Sequence, residues 1–502
     1  MKRKKTVNFP SYDVVVIGGG IIGTFILYEL SHLPLKILLL EKEEDLAFGV
    51  SKANSGIIHA GFHEDPKTLK GHYCAKGNAL YSKISKKLQL PFKRVGELLV
   101  IKEEREYSAL HEFMKKGEQN KVTGLKIIDG IELHRLEPHL SEQLVGALYA
   151  PSAGVINPYE LIYTLARFAR CNGATLLRGE EVIAITKDNS FHIYTSKGRY
   201  HSKVVINAAG MNGDTIAAMM GVATPAIEGR KGQEYLLDKK HKGLVKHIIF
   251  PLPTPESKGT LIIPTLDGPI MLGPTAENMQ AKDREDLSTD QCGYQEIMER
   301  VKFMLPAINE RAIIAGFSGM RPIPREHHDF IIGNTSVAGF FQAIGMHSPG
   351  LTAAPAIAMD VAKMVSNYLS ESKLIQKQKR CSKDYQQKEH HCLCHTPKKL
   401  REVKKFSELQ KLWKSDPEYG EVVCRCEEVS LAEIRAAIRD GATTLDGVKF
   451  RTRMGMGRCQ GAFCTYRAIE VMASELAVPH HKISKKGKKS TIIVATLGKD
   501  HE

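Results

Sequence analysis

The sequence predicts an α/β protein: a parallel-sheet domain, a second domain on an antiparallel sheet, and a small α-rich module near the C-terminal end. Three observations carry this. A wholly apolar, β-branched run, Val14 to Ile17, ends in Gly18-Gly-Gly20-Ile-Ile-Gly23 and continues into a helical stretch. Between residues 227 and 314, short apolar runs alternate with turn residues. From residue 371 the composition turns to Lys, Gln and Glu, and then come two close cysteine pairs, Cys424/Cys426 and Cys459/Cys464.

The first stretch dictates most. A continuous apolar, β-branched run is what a strand buried on both faces requires. A second such run, Leu35 to Leu40, ends at Glu41, 18 residues after Gly23. In this layout Gly18 makes the tight turn, Gly20 lets the backbone approach a pyrophosphate, and Gly23 lets helix and strand pack closely. The helix N-terminus faces the phosphates and the Glu41 carboxylate takes a ribose hydroxyl. The unit therefore reads as a Rossmann-like dinucleotide site.

A chain of 502 residues exceeds one core and implies two or three domains. No run of 18 apolar residues exists, so no membrane span is expected. The start, Met-Lys-Arg-Lys-Lys, is basic, with no signal-type apolar segment before the first strand. The expected location is cytoplasmic, or peripheral at the inner membrane face. The net charge of +15 fits a solvated basic surface, or attraction of an anionic substrate or an acidic membrane face. Nucleic-acid binding has no supporting motif, since the Lys runs lack interleaved aromatics. Of ten cysteines, Cys74, Cys171 and Cys292 are scattered and read as buried or inert thiols; seven follow residue 380. In a reducing compartment, clustered cysteines read as metal ligands before disulfides.

Residues 203–214, Lys-Val-Val-Ile-Asn-Ala-Ala-Gly-Met-Asn-Gly-Asp, form another buried strand running into a small-residue turn. With Gly333 and the Gly339 to Thr352 stretch, these pieces resemble the D-amino-acid-oxidase-like superfamily over about residues 12–368. The resemblance implies FAD as the dinucleotide, with Val182 against the adenine and Ala209 and Gly210 at the second turn. It also implies Gly345, Gly350, Leu351 and Thr352 in the C-terminal flavin loop, where N–H groups at a helix start could hold negative charge. The helix after that loop is expected from Ala354 to Leu369.

Phe48 to Gly61, Phe-Gly-Val-Ser-Lys-Ala-Asn-Ser-Gly-Ile-Ile-His-Ala-Gly, is a small polar loop suited to run against a flat ring. It is similar to a segment along the flavin in L-2-hydroxyglutarate dehydrogenases and in glycerol-3-phosphate oxidases and dehydrogenases. That likeness places Ser55 and Gly56 on the cofactor and makes His59 a candidate active-site residue; a lone His is otherwise more often structural. Arg321, in Gly-Phe-Ser-Gly-Met-Arg-Pro-Ile-Pro, stands where the resembled enzymes hold an arginine on the substrate's carboxylate or phosphate. A planar, permanently charged fork binds such groups bidentately, although a surface arginine reads the same way. His347 is a second candidate for proton chemistry, and Arg230 and Lys231 are candidates for a further phosphate contact.

The expected partition is 10–95, 149–226 and 315–370 for FAD binding and 96–148 and 227–314 for the substrate domain. A linker covers 371–416, the cysteine module 417–480, and a basic tail 481–502, in which Ile492–Val494 suggests a strand. Within the linker, His390-His-Cys392-Leu-Cys394-His395 offers five ligands within six residues, crowded for one tetrahedral metal.

Cys424-Arg-Cys426 and Cys459-Gln-Gly-Ala-Phe-Cys464, with 32 residues between the pairs, make a four-thiolate site for zinc or an iron–sulfur cluster. The stretch Val-Cys-Arg-Cys-Glu-Glu-Val-Ser…Arg-Thr-Arg-Met-Gly-Met-Gly-Arg-Cys resembles the bacterioferritin-associated-ferredoxin-like [2Fe-2S] domain, nearest to the copy fused to anaerobic glycerol-3-phosphate dehydrogenases. Arg451, Arg453 and Arg458 would offset the cluster's negative charge; a solvated basic face explains them equally.

The resulting expectation is an FAD-dependent dehydrogenase of an anionic 2-hydroxy compound. Glycerol 3-phosphate leads and L-2-hydroxyglutarate, or a related hydroxy or amino acid, comes second. Electrons would leave through the cluster to a partner subunit or quinone pathway. A reading of another class makes the protein a non-catalytic electron-transfer or sensing subunit.

Overall fold

The computed structural model describes residues 9–254, 257–374, 398–487 and 490–494. It divides into two compact units, Met1–Lys42 with Leu46–His390, and Glu43–Asp45 with His391–Glu502.

The larger unit begins with β1 (Ser11–Ile17), α1 (Ile21–Leu30) and β2 (Ile37–Glu41). β1 lies between β2 and the strand Arg199–Asn207, parallel to both, inside an eight-stranded sheet. Val14, Val15 and Val16 are fully buried, as a strand covered on both faces demands. The strand Arg199–Asn207 splits its outer edge. Its first half pairs antiparallel with Phe191–Thr195, and its last residues pair parallel with Phe340–Ile344.

The helix Pro158–Cys171 opens on Asn157, whose Oδ1 accepts the N–H groups of Tyr159 (3.0 Å) and Glu160 (3.2 Å). The helix Gly350–Glu371 starts four residues before the expected Ala354 and contains Pro355. Proline cannot donate to the carbonyl of Leu351. The buried Tyr81 hydroxyl donates to it instead, at 2.6 Å. Tyr81→Phe strands that carbonyl and is expected to cost about 1–3 kcal/mol; a urea titration reads the loss.

The second sheet of this unit has nine strands and contributes to two hydrophobic clusters, one built on Leu98, Ile249, Ile262, Leu272 and Val301 and the other on the alternate residues Leu99, Phe250 and Ile263. It differs from the expectation in two ways. The sheet is mixed, because Ile248–Pro251 runs parallel to Glu97–Ile101. The chain also does not re-enter the first sheet at Ala315: Ile313–Pro324 is a strand of the second sheet, antiparallel to Ile227–Leu237 along nearly its whole length. Gly316, Gly319, Pro322 and Pro324 are poor strand formers, and pairing with the longer neighbour supplies what the local sequence lacks. The return comes at Ile331–Asn334. A three-stranded sheet joins Ile57–Ile58, Gly154–Ile156 and Phe92–Arg94.

The smaller unit packs helices Leu431–Arg439, Leu445–Thr452 and Thr465–Leu476 around Val429, Ile434, Val448 and Met472. Ser430 and Glu433 form a reciprocal capping box at the start of the first. The expected strand Ile492–Val494 does not form. Thr491 makes one isolated bridge to Ser484, and Val494 is left exposed with no strand to pair. No helix among the described residues is long and apolar enough to cross a membrane.

Candidate active site and cysteine centre

The glycine turn is built to exclude side chains. A Cβ on Gly23 would sit 1.9 Å from the carbonyl oxygen of Gly18, and Gly18 itself is left-handed at φ +110°. α1 therefore packs on β1 at a distance only glycine allows. Glu41 stands at the end of β2, and its Oε2 accepts the Gly19 N–H at 2.6 Å, fixing the carboxylate beside the turn. One expected phosphate donor is already engaged: the Ile21 N–H donates to Ser51 Oγ at 3.0 Å. Asn207 staples the second turn, accepting the Ala209 N–H (3.2 Å) and donating to the Gly213 carbonyl (2.7 Å). A Cβ on Gly210 would meet nothing nearer than Val50 Cγ2 at 3.9 Å. Val182 packs in the same cluster as Ile17 and Leu40. These residues fit a dinucleotide. Gly23→Val is expected to yield protein without bound flavin, read as the absorbance ratio at 450 and 280 nm.

The loop that carries His59 is braced from three sides. Its N–H donates to Thr352 Oγ1 at 3.0 Å, so Thr352 holds the loop as well as standing in the expected flavin segment. Its carbonyl accepts from Asn78 Nδ2 at 2.7 Å. Upstream, Asn54 Oδ1 accepts the Gly56 N–H at 2.8 Å, setting the turn that holds Ser55 and Gly56. His59 Nε2 lies 3.3 Å from Ser348 Oγ, within the segment from Gly345 to Gly350 that also bears His347 and opens the helix holding Leu351. Burial and the nearby Lys258 hold the His59 imidazole well below the usual histidine range.

His347 Nε2 donates to the His328 carbonyl at 2.9 Å, which leaves Nδ1 as its acceptor. Burial, then Lys70, Lys258 and Arg321, push its pKa down to about 3. A histidine neutral when folded binds fewer protons than when unfolded between about pH 3 and 6.5. Its contribution to stability is thus present above 6.5 and lost as the pH falls through that window. The Tm difference between the protein and its His347→Asn variant is expected to shrink from pH 7 to pH 4.5, measured by calorimetry.

Arg321 is more committed than a free fork. Nε donates to the Arg230 carbonyl (3.3 Å), and Nη2 to the carbonyls of Lys231 (3.2 Å) and Thr275. Only Nη1 keeps its two N–H groups for an anion, so the expected two-nitrogen grip is reduced to one. Burial draws its pKa down to about 10, with Glu234 opposing, and it stays charged at neutral pH. Glu234 in turn is pushed by burial up to about 8. Neither further phosphate candidate stands ready. Lys231 is buried against Glu277 and Asp286 at 3.3 Å each, and Arg230 donates to Asn278 Oδ1 at 2.7 Å. Besides Arg321, the cations that act on His347 are Lys70 and Lys258, the latter paired with Glu64. Sequence reasoning missed both, along with Glu97 and Ser348. The one available signal was an acidic residue opening the otherwise apolar strand Glu97–Ile101.

In the smaller unit the four thiols fall into two pairs. Cys426 and Cys459 lie 3.3 Å apart, and Cys424 is hydrogen-bonded to Cys464. That bond draws Cys424 down to about 6 and pushes Cys464 up. Backbone N–H groups of Gly455 and Glu427 point at Cys424, and those of Gly461 and Phe463 at Cys459. No three Cys, His, Asp or Glu side chains among the described residues gather round one point. Two pairs fit a binuclear cluster better than one tetrahedral zinc. A Cβ on Gly457 would come 2.4 Å from Cys426 Cβ, so this loop also needs glycine. Two of the arginines expected to offset cluster charge are held by carboxylates, Arg453 by Glu427 (2.8 Å) and Arg451 by Asp440 (3.2 Å). Of the scattered thiols, Cys74 is buried and Cys171 and Cys292 are exposed. The His390–His395 cluster lies outside the described residues.

Residues 13–364 match the family of FAD dependent oxidoreductases, and residues 422–474 match the BFD-like [2Fe-2S] binding domain. A glycerol 3-phosphate dehydrogenase of Caloramator mitchellensis is 38% identical over 491 residues, covering 96% of this chain and 98% of its own length. An L-2-hydroxyglutarate dehydrogenase of Caenorhabditis elegans is 30% identical, covering 65% of this chain and 74% of its own length. Among solved structures, the dithionite-reduced L-α-glycerophosphate oxidase of Mycoplasma pneumoniae with FAD bound superposes with a TM-score of 0.68. It shares 30% identity, over 71% of this chain and 94% of that one.

Proposed function

The chain belongs to the FAD dependent oxidoreductase family and carries a BFD-like [2Fe-2S] domain, and from that premise we propose that it oxidises sn-glycerol 3-phosphate to dihydroxyacetone phosphate. The observation that carries the substrate is buried Arg321, whose Nε and Nη2 are spent on carbonyls while Nη1 is left for an anion, with Lys70 and Lys258 also acting on neutral His347. The Nη1 edge of the guanidinium and the Lys70 ammonium, with Lys258 shared with Glu64, suit a phosphate dianion. His59 stands as the base. A neutral imidazole can take the C2 hydroxyl proton on Nε2 as the C2 hydride leaves. Ser348, already at that nitrogen, orients the hydroxyl, and His347 offers Nδ1 to a neighbouring hydroxyl. Bound FAD supplies the hydride acceptor, and the [2Fe-2S] centre supplies one-electron transfer toward a partner subunit or quinone pathway. Gly18, Gly20, Gly23, Glu41, Ser55, Gly56, Val182, Ala209, Gly210, Gly345, Gly350, Leu351 and Thr352 are the residues proposed to hold FAD. Cys424, Cys426, Cys459 and Cys464 are proposed to hold the cluster.

L-2-hydroxyglutarate is the second reading, favoured by the similarity of the flavin-binding part to dehydrogenases of that acid. The test is anaerobic addition of each compound to the purified protein. Bleaching of the flavin band by glycerol 3-phosphate, with loss of the iron–sulfur shoulder, is expected. Bleaching by L-2-hydroxyglutarate alone reverses the substrate order, and bleaching by neither removes both. Cys426→Ser is expected to abolish the cluster's absorbance and EPR signal while the flavin still bleaches. Turnover with a one-electron acceptor that is untouched by this change would favour a sensing or assembly role for the module.

A further inference from the structure

We propose that Glu97 is the positioning residue for His59, holding the imidazole in the tautomer whose Nε2 lone pair faces the substrate. The proposal rests on the alcohol oxidation inferred above. Glu97 opens the strand Glu97–Ile101 and its side chain is fully buried. Oε1 is spent on the Ala60 N–H at 3.1 Å, one residue beyond His59. Oε2 has no hydrogen-bond partner, and neither has His59 Nδ1; the two lie 3.9 Å apart. Two buried polar atoms left facing each other are each costly, and an approach of about 1 Å would satisfy both. Hydrogen bonds of this kind are often long in a free enzyme and tighten around the substrate.

The proton count follows. With Nδ1–H donated to Glu97 Oε2, Nε2 carries the lone pair, and in the free enzyme the Ser348 hydroxyl donates to it. The substrate hydroxyl then gives its proton to Nε2 as the C2–H bond breaks. The imidazolium so formed is stabilised by the carboxylate across the ring. Asn78 and Thr352 fix the backbone on either side of the ring, but neither touches the ring nitrogens. Lys258, Glu64, His63 and Cys74 are the other titratable groups around this pair. Burial pushes the Glu97 carboxyl up to about 7, so the dyad reaches full strength on the alkaline side of neutrality.

The decisive variant is Glu97→Gln, which keeps the shape and the Ala60 contact but presents an N–H to Nδ1 and so imposes the wrong tautomer. Its kcat, per bound flavin in the holoenzyme with glycerol 3-phosphate, is expected to fall at least about 100-fold with KM within about threefold. Glu97→Asp, which restores the charge, is expected to recover at least about tenfold over Gln. A readout free of substrate is the ¹⁵N spectrum of histidine-labelled protein, with His59 assigned by loss in His59→Asn. The parent is expected to show Nδ1–H and the Gln variant Nε2–H. A Gln variant within about threefold of the parent, Gln and Asp variants equally impaired, or an unchanged His59 tautomer would each overturn the proposal. If Gln fails to fold, the ¹⁵N spectrum of the parent decides, since a His59 protonated on Nε2 and not on Nδ1 contradicts the dyad. A parent inactive on glycerol 3-phosphate that still shows the tautomer switch would sink the substrate reading and leave the dyad standing.

Discussion

Replacing His59 with Asn is expected to slow flavin reduction by glycerol 3-phosphate about 10²–10⁴-fold while flavin content and KM stay nearly constant. The magnitude is that of removing a positioned general base. Asn is polar and smaller than the imidazole, so it fits the same space without a clash and the loop should keep its shape. Its Thr352 and Asn78 contacts are to the His59 backbone and survive the change. Anaerobic stopped-flow at 450 nm reads the step directly. The same measurement on His347→Asn separates the two histidines. His347 spends Nε2 on the His328 carbonyl and has only Nδ1 for substrate, so its loss is expected to slow reduction by less than about tenfold. Equal losses, or the larger one at His347, would move the base to that residue.

Arg321→Ala is expected to lower kcat/KM for glycerol 3-phosphate by about 30- to 4,000-fold, the loss of one buried charged contact at 2–5 kcal/mol. It should also destabilise the fold. The carbonyls of Arg230, Lys231 and Thr275 lose their donor, and the buried Glu234 carboxyl loses the guanidinium it faces. The two effects can be parted. Adding Glu234→Gln removes the carboxyl that Arg321 faces, so the double variant should regain stability without regaining kcat/KM. Arg321→Lys should rescue little, because one ammonium cannot span three carbonyls and still meet an anion. Wild-type kcat/KM in Arg321→Ala would place the anion elsewhere, with Lys70 and Lys258 as the remaining cations.

How far the site was legible depended on whether its signal was local. The glycine turn is local, because the sterics that forbid a Cβ at Gly23 act within one βαβ unit, and spacing reports them. The cysteine pairs are local for the same reason, each pair being set by a tight loop. For Arg321 the sequence suggested a free fork, and the fork is largely engaged. Which N–H groups remain free depends on carbonyls from residues 230, 231 and 275, far away in sequence. Lys231 was misjudged likewise, since Glu277 and Asp286 reach it only when the second sheet forms.

The sequence by itself determined the α/β class, the dinucleotide turn, the two close cysteine pairs and the resemblance that points to FAD and [2Fe-2S]. Each rests on period, spacing or a steric demand confined to a few neighbouring residues. Tertiary structure alone decided that Ile313–Pro324 is a strand of the second sheet, that Glu97 faces His59, and that Glu277 and Asp286 hold Lys231. Those outcomes depend on strand pairing and on burial. Both bring together groups from separate segments, and the free energy of a charge or a hydrogen bond is set by what surrounds it there.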